Sequence, residues 1–357
     1  MNKRVLVGMS GGVDSSVAAL LLKEQGFTVA GLTLRLHDES LVNSESAQKC
    51  GSEKDIEDAK AVCKKLGIEH FVQEYKTDFK ANVIDRFINE YLLGSTPNPC
   101  IDCNRFIKFP KLLEFAKLHG YDYIATGHYA KKVFLEKEGR YTLTAPHDTS
   151  KEQTYVLYSL SQEILEHLLL PLCDMTKAEI REVAEKNGLS NSQKKDSQDI
   201  CFVPDKDYAA FIKKYTAAKF KKGDYLDVFG NKIGTHDGVI HYTVGQRKGL
   251  GIALGKPQFV ISKNAENNTV VLGDEEHLFS KTMIVKDVNF TALENLTEKM
   301  ECQIKIRYRQ LAVDGTLYPN DDGTVLVEFK EPQRAATRGQ AAVFYLDGML
   351  LGGGTIF

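Results

Sequence analysis

The chain has 357 residues, of which 43% are hydrophobic and 26% charged, and its formal net charge is −2. This length predicts two or three domains, and the composition is typical of a globular protein. No apolar run approaches the roughly 18 residues that span a bilayer. The seven cysteines are odd in number and scattered, which disfavours a secreted disulfide framework. The first residues leave no room for a signal peptide, so we expect a cytoplasmic protein without membrane association.

The first 150 residues alternate apolar strands with amphipathic helices. Such alternation predicts an α/β domain with a doubly wound parallel sheet, whose ligand site lies at the carboxyl ends of its strands. The predicted strands are Arg4–Gly8, Val29–Leu34, His70–Gln73 and Tyr123–Thr126. The predicted helices are Val17–Gln25, Lys54–Leu66, Ala81–Leu92 and Phe109–His119.

The character of the chain changes after about residue 205. Helices are predicted at Glu163–Leu170, Lys177–Asn187 and Asp207–Tyr215, and helical periodicity then fades. Short alternating segments between Gly, Asn and Asp turns predict a small antiparallel barrel or sandwich at the carboxyl terminus. These segments include Gln258–Ser262, Asn268–Leu272, Gln303–Arg307, Thr324–Glu328 and Ala341–Leu346.

A basic segment runs from Lys206 to Lys248. It holds nine Lys or Arg residues against four Asp residues, a net charge of +5. This excess favours a polyanionic partner, although a solvated face on a neutral protein is the alternative.

A loop of small residues, Gly8-Met9-Ser10-Gly11-Gly12-Val13-Asp14-Ser15, joins the first strand to the first helix. Glycines allow a positive φ and a close approach of ligand to main chain, and free N–H groups at a helix start favour an anion. Ser15 or Ser16 is the expected N-cap. The Gly-Lys-Ser/Thr ending of a Walker loop is missing, and the alternative is a turn that binds nothing. Ser-Gly-Gly-x-Asp-Ser resembles the pyrophosphate loop of ATP pyrophosphatases.

Two further segments contain cysteines. Thr96–Asn104 has two prolines that predict a stiff, extended loop before Cys100 and Cys103. Cys-x-x-Cys alone is typical of a zinc half-site, a redox pair or cluster ligands. Zinc would need a second pair, which His128 and Cys201 could supply only through the fold. A cysteine before Phe-Val, as at Cys201, is often a buried core thiol.

Together with the glycine-rich segment 241–252, which alone could be a charged hairpin, these segments identify a resemblance that covers essentially the whole chain. In order and spacing they resemble the bacterial tRNA-specific 2-thiouridylase family. The other matching segments are Ile107-Lys108-Phe109, Ala125–Ala130, Lys151–Tyr155, Ile200-Cys201-Phe202, Ile306-Arg307-Tyr308, Arg338–Ala341 and Leu351–Ile356.

The resemblance implies an ATP-dependent replacement of the 2-oxygen of a tRNA wobble uridine by sulfur. Adenylation with Mg²⁺-ATP makes that oxygen a leaving group, and sulfur displaces it as AMP. Cys201 would carry a persulfide from a cysteine desulfurase or a sulfur carrier, and Cys103 would accept the resulting disulfide. A thiolate needs a nearby cation, for which Lys194, Lys195 and Lys108 are candidates. We expect a monomer.

The resemblance also implies the binding residues and the domains. ATP would be held by Gly8, Met9, Ser10, Gly11, Gly12, Val13, Asp14, Ser15, Leu34 and Gly127. The target base would meet Asn98, Pro99 and Cys100. The tRNA would contact His128, Lys151, Glu152, Gln153, Arg307, Tyr308 and Gln340. The domains would be a catalytic domain at 1–204, a tRNA-binding domain at 205–268 and a β-barrel at 269–357.

One departure from the family concerns Cys100, where many relatives have Asp. In an extended segment Asp102 would point to the same side as Cys100 and could take over proton handling. An alternative mechanism uses an iron–sulfur cluster held by Cys100, Cys103 and Cys201. Outside enzymes, a tRNA-binding module with a degenerate site is the alternative. Other ATP pyrophosphatase ligases share only the first motif.

Overall fold

The computed structural model describes residues 2–37, 51–194, 200–203, 207–216, 220–253 and 255–357. None of the helices in these ranges is long and apolar enough to cross a membrane. The strands, in chain order, are β1 (Arg4–Gly8), β2 (Thr28–Arg35), β3 (Glu69–Glu74), β4 (Tyr123–Ala125), β5 (Lys131–Leu135), β6 (Arg140–Thr144), β7 (Leu168–Leu169), β8 (Gly223–Leu226), β9 (Lys232–His236), β10 (Phe259–Asn264), β11 (Thr269–Gly273), β12 (Phe279–Phe290), β13 (Met300–Lys305), β14 (Val313–Pro319), β15 (Val325–Arg334), β16 (Ala341–Leu346) and β17 (Met349–Ile356).

The helices mostly cover the first half of the chain. They are α1 (Val13–Glu24), α2 (Glu53–Leu66), α3 (Lys76–Phe79), α4 (Asp85–Leu92), α5 (Pro99–Asp102), α6 (Phe109–Leu118), α7 (Thr154–Leu157), α8 (Gln162–His167), α9 (Lys177–Lys186) and α10 (Tyr208–Thr216). Two π-helical turns, Lys80–Ile84 and Cys103–Lys108, join α3 to α4 and α5 to α6.

The first domain contains the predicted doubly wound parallel sheet. Its strand order is β3-β2-β1-β4-β7, and all neighbours are parallel. Successive residues of the central strand β1 face opposite sides of the sheet. Val5 and Val7 pack in one cluster with α1, α2 and α9, whereas Leu6 packs in another with α6. The predicted fold class is confirmed.

The prediction of a helix over Glu163–Leu170 is partly wrong. Helix α8 ends at His167, and the next two residues form β7, which pairs with β4 at the edge of the sheet. Leu168 is fully buried there. Because an apolar run this short fits either a helix or a strand, periodicity alone could not separate the two.

The carboxyl-terminal part is the predicted antiparallel barrel. Six strands follow the order β12-β15-β14-β13-β16-β17, and β17 pairs again with β12, which closes the barrel. The hairpin β5–β6 of the first domain extends this sheet, with Thr144 opposite Met349 in β17. Barrel residues such as Val343 and Leu350 belong to the same hydrophobic cluster as α6. The barrel is therefore packed directly on the parallel-sheet domain.

Residues between the two in the chain form a smaller four-stranded sheet of order β10-β11-β8-β9. It surrounds a separate small core that includes Tyr225, Val260 and Leu272. Parts of the predicted basic segment, residues 206 and 217–219, lie outside the described residues.

Candidate functional site

The loop after β1 turns sharply into α1. Gly11 has a φ of +70°, a conformation that favours glycine. The N-cap of α1 is Gly12, not Ser15 or Ser16 as predicted. Both serine hydroxyls instead donate to the Gly12 carbonyl, at 3.1 and 3.0 Å. The helix therefore begins four residues earlier than expected, and its free N–H groups lie within the loop itself.

The outer side of the loop is held by residues from the end of the first domain. The Gly11 carbonyl accepts from Asn191 Nδ2 at 3.0 Å and from Lys194 Nζ at 3.2 Å. Lys194 also donates to Asp55 and Asp58 at the start of α2, at 2.7 and 2.6 Å. A Cβ on Gly11 would lie 2.4 Å from the Asp55 carbonyl oxygen. Packing against α2 thus requires a glycine at this position.

Asp14 lies at the start of α1 and forms a partly buried ion pair. Lys177 Nζ contacts both Asp14 oxygens, at 2.7 and 2.8 Å, and the Tyr129 hydroxyl donates to Oδ1 at 2.7 Å. The Lys177 side chain is 12% exposed and that of Asp14 29%. This carboxylate is engaged by protein groups, and it belongs to no group of three potential metal-binding side chains among the described residues.

A cavity of about 1130 Å³ opens at the carboxyl ends of β1, β2 and β4, where the fold predicts a ligand site. It brings together much of the predicted ATP site and of the predicted tRNA site. Predicted residues that line it are Gly8, Met9, Ser10, Gly12, Val13, Asp14, Ser15, Leu34, Gly127, His128, Lys151, Glu152, Gln153 and Tyr308.

Gly127 and His128 follow β4 on the wall of this cavity. A Cβ on Gly127 would lie 2.7 Å from Ser15 N, so only glycine allows this close approach to α1. Lys108 Nζ lies 3.4 Å from His128 Nε2. Because an ammonium only donates, Nε2 accepts, and Nδ1–H donates to Thr126 Oγ1 at 2.8 Å. Burial, aided by the charge of Lys108, holds the pKa of His128 well below its usual value.

Residues 152 and 153, expected to contact tRNA, make bonds that hold the site together. Lys305 of the barrel contacts Glu152 Oε2 at 2.8 Å. The Tyr308 hydroxyl donates to the Glu152 carbonyl at 3.1 Å. The Gln153 side chain accepts from Tyr129 N at 2.8 Å. The barrel therefore forms part of the wall of a cavity whose floor is the loop after β1.

The cysteine loop is helical where an extended segment was predicted. Asn98 is the N-cap of α5 and accepts from Cys100 N at 3.1 Å, with Pro99 as the first helical residue. Residues two apart on a helix do not share a face, so the prediction for Asp102 is wrong. Asp102 instead contacts Arg86 at 3.5 Å. Burial raises the pKa of its carboxyl, whereas Cys100 is exposed.

Cys103 and Cys201 pack against one hydrophobic cluster, built by α3, α4, α10 and residues near them. Both cysteines are half-buried, and Cys103 begins a π-helical turn, a feature frequent at functional sites. Neither is among the described residues that line the cavity.

The described residues do not fit an iron–sulfur cluster. No three of their Cys, His, Asp and Glu side chains are grouped closely enough to hold a metal. The cluster alternative, which requires Cys100, Cys103 and Cys201 together, therefore finds no support.

Arg307 and Gln340 are not among the described residues that line the cavity. Arg307 donates to the Ala335 carbonyl at 3.0 Å, and burial lowers its pKa. Gln340 Nε2 donates to the Thr96 carbonyl, and Thr96 N donates to the Arg338 carbonyl at 2.8 Å. The barrel thus holds the loop that leads to Asn98. The candidate cation Lys195 lies outside the described residues.

The chain matches three family models that together cover most of its length. Residues 3–205 match a tRNA methyl transferase HUP domain, residues 209–274 a tRNA methyl transferase PRC-barrel domain, and residues 280–356 an aminomethyltransferase beta-barrel domain. Proteins named tRNA-specific 2-thiouridylase MnmA are similar along the whole chain. The protein from Clostridium perfringens is 48% identical over 99% of this chain and 98% of its own. The protein from Clostridium acetobutylicum is 49% identical over 100% of both.

The chain belongs to the MnmA family of tRNA-specific 2-thiouridylases. The resemblance in order and spacing of motifs is therefore confirmed, as are the parallel-sheet domain and the barrel. The sequence analysis missed several residues of this MnmA-family site. Tyr129, Lys177, Asn191 and Lys305 form its main side-chain contacts. Tyr129 lies in the matching segment Ala125–Ala130, but no role was predicted for it. The other three lie outside the matching segments, and only the fold brings them to the site.

Proposed function

We propose that this protein replaces the 2-oxygen of the wobble uridine of tRNA by sulfur, at the expense of ATP. The supporting observation is the shared cavity, which joins a pyrophosphate-type loop to a wall from the barrel. A site that binds only a nucleoside triphosphate would not need the wall that the barrel contributes, so this wall favours a second ligand. The relatives, at 48 and 49% identity, are named for 2-thiouridine formation on tRNA.

The first step is adenylation of the base. The uridine 2-oxygen attacks the α-phosphorus of ATP, and the bond to pyrophosphate breaks. The main chain of residues 8–15 would hold the phosphates, since N–H groups at a helix start favour anions. Leu34 and Gly127 complete this ATP site. Lys177 pairs with the Asp14 carboxylate, so the positive charge of Lys177 limits the repulsion between this carboxylate and the phosphates.

The second step transfers sulfur. The terminal sulfur of a Cys201 persulfide attacks C2, and AMP leaves with the original oxygen. The Cys103 thiolate then attacks the Cys201 sulfur. The electron pair of the broken S–S bond stays on the sulfur that leaves as 2-thiouridine, and a Cys103–Cys201 disulfide forms. A thiol reductant restores both thiols, and a cysteine desulfurase or a sulfur carrier reloads Cys201.

The tRNA supplies an unpaired anticodon base that can leave its stack and enter a pocket. Asn98, Pro99 and Cys100 would meet this base, and His128, Lys151 and Tyr308 would contact the RNA around it. Arg307, Glu152, Gln153 and Gln340 would act mainly by holding these surfaces, given the bonds described above. We propose that the protein acts as a monomer in the cytoplasm, with the domain boundaries predicted from the sequence.

The test is an isotope-tracing experiment on the purified protein. A tRNA labelled with ¹⁸O at the uridine 2-position is incubated with Mg²⁺-ATP and a persulfide donor. Nucleosides and AMP are then analysed by mass spectrometry. We expect 2-thiouridine together with ¹⁸O-labelled AMP. Unlabelled AMP would contradict adenylation of the base, and methylated uridine without thiolation would contradict the proposed function.

A further inference from the structure

The loop between β13 and β14 forms the barrel side of the cavity. Four consecutive residues of this loop, Tyr308, Arg309, Gln310 and Leu311, line the same space as the loop after β1. Of these, Leu311 is the aliphatic residue, and neither the family resemblance nor the bonds within the site account for it.

This loop is fixed at several points. The Tyr308 hydroxyl donates to the Glu152 carbonyl at 3.1 Å. Gln310 N donates to the Arg307 carbonyl at 3.2 Å, and its side chain donates to Gln333 Oε1 at 3.1 Å. Leu311 is therefore presented by an ordered turn, so a ligand that used it would pay little ordering entropy.

Leu311 is 85% exposed, and neighbouring Tyr308 is 41% exposed. Single exposed leucines are ordinary on protein surfaces. Leu118 at the end of α6 is such a residue, since it is 80% exposed and is not among the described residues that line this cavity. Leu311 differs because it lies on a cavity wall beside an aromatic ring.

The size and charge of the cavity indicate what covers Leu311. A typical small-molecule site has roughly 300–1,000 Å³, and this cavity, at about 1130 Å³, exceeds that range. The loop after β1 accounts for one ligand at one end. The cavity is also lined by Arg309 of this loop and by Lys151 of the first domain, and such cations favour a phosphodiester backbone. The second occupant is thus a nucleotide of a polyanion.

We infer that Leu311 is a positioning residue that packs against the target nucleotide of tRNA on the barrel side of the cavity. The inference rests on the proposed function and goes beyond it by assigning the apolar contact. Because every base has an apolar face, such a contact supports the base without reading its identity.

The experiment compares three variants with the wild type. Leu311→Ser removes the apolar side chain, Leu118→Ser is the matched control at another exposed leucine, and Leu311→Met keeps an apolar side chain at the same position. Loss of a leucine contact predicts a roughly tenfold rise in the KM for tRNA and in its Kd. The KM for ATP and the melting temperature stay unchanged. Leu118→Ser behaves as wild type, and Leu311→Met retains most of the tRNA affinity because it keeps an apolar side chain of similar volume.

Two results would overturn the inference. One is a Leu311→Ser protein that binds tRNA as tightly as wild type. The other is an equal loss of ATP and tRNA affinity, which would make the residue a structural part of its loop. A wild type that binds tRNA but makes no 2-thiouridine contradicts the proposed function instead. In that case the Kd values for tRNA still decide the role of Leu311.

Discussion

At the scale of single residues, the loop after β1 is shaped by contacts on its outer side. The Gly11 carbonyl accepts from Asn191 and Lys194, and Asp14 is paired with Lys177. The motif Ser-Gly-Gly-x-Asp-Ser made these loop residues predictable as a phosphate site. It did not reveal Lys177, Asn191 and Lys194, which lie more than 160 residues away in the chain.

Gly11 and Gly12 offer a matched pair of substitutions. A Cβ on Gly11 would lie 2.4 Å from the Asp55 carbonyl oxygen in a left-handed conformation, whereas one on Gly12 would meet only Ser10 Oγ, at 3.3 Å. We expect Gly11→Ala to lower the free energy of unfolding by about 1–3 kcal/mol, and Gly12→Ala to leave it close to wild type. Chemical denaturation measures the difference. Equal stability of the two variants would contradict the contact with α2.

The Asp14–Lys177 pair predicts a compensating double substitution. Lys177→Met leaves a partly buried carboxylate unpaired, so we expect kcat/KM for ATP to fall by roughly 10- to 100-fold. Asp14→Asn added to Lys177→Met removes that charge and recovers part of the loss. Lys177→Arg is the control that keeps the cation. Asp14→Asn alone completes the comparison. If the loss of kcat/KM in the double variant equalled the product of the losses in the two single variants, Asp14 would act independently of Lys177.

His128 predicts a pH effect on stability. Its pKa in the folded protein lies well below the usual value, because burial disfavours the charged ring. Stability from the neutral ring is therefore complete above the ordinary histidine pKa of about 6.5 and is lost as the pH falls below it. We expect His128→Gln to flatten the decline of melting temperature between about pH 6.5 and pH 5. His70, His236 and His241 also have lowered pKa values, so the variant is compared with the decline of melting temperature in the wild type. An unchanged slope in His128→Gln would show that His128 does not contribute to that decline.

At the scale of elements, segments marked by apolar periodicity or capping residues were predictable, and the proline-containing loop was not. Strand β1 and helices α2 and α9 are close to their predicted ranges, because apolar periodicity and capping residues mark them. The segment Thr96–Asn104 was predicted to be extended, yet Pro99 begins a helix that continues as a π-helical turn. Proline is compatible with an extended loop and with the first position of a helix. The prolines alone therefore could not distinguish the two conformations.

The contact between residues 338–340 and the loop at Thr96 predicts a separation of effects. Gln340→Ala removes the bond to the Thr96 carbonyl, so we expect slower thiolation with an unchanged salt dependence of tRNA binding. Arg309→Ala is the comparison: loss of one phosphate contact reduces the log–log salt slope by roughly 0.7–0.9. Binding of tRNA at several salt concentrations distinguishes the two. A reduced slope in Gln340→Ala would instead indicate a direct contact with RNA.

At the scale of the whole molecule, the barrel and the parallel-sheet domain form one site. The Glu152–Lys305 ion pair joins them beside the cavity, and hairpin β5–β6 continues the barrel sheet. The sequence predicted both folds, but it could not predict this shared wall. Contacts between residues 152 and 305 depend on how two separately predicted domains pack.

The central claim is that Cys201 delivers sulfur to the base and that Cys103 releases it. In the most direct test, the Cys103→Ser variant is loaded with persulfide and incubated with tRNA and ATP, and a denaturing gel then detects any covalent protein–tRNA product. The persulfide mechanism predicts a covalent protein–tRNA adduct, linked through C2–S–S–Cys201, from which a dithiol releases 2-thiouridine. Cys201→Ser forms no adduct, while Cys100→Ser and Cys100→Asp turn over. Wild-type turnover by Cys103→Ser, or a Cys100→Ser protein as inactive as Cys201→Ser, would contradict it.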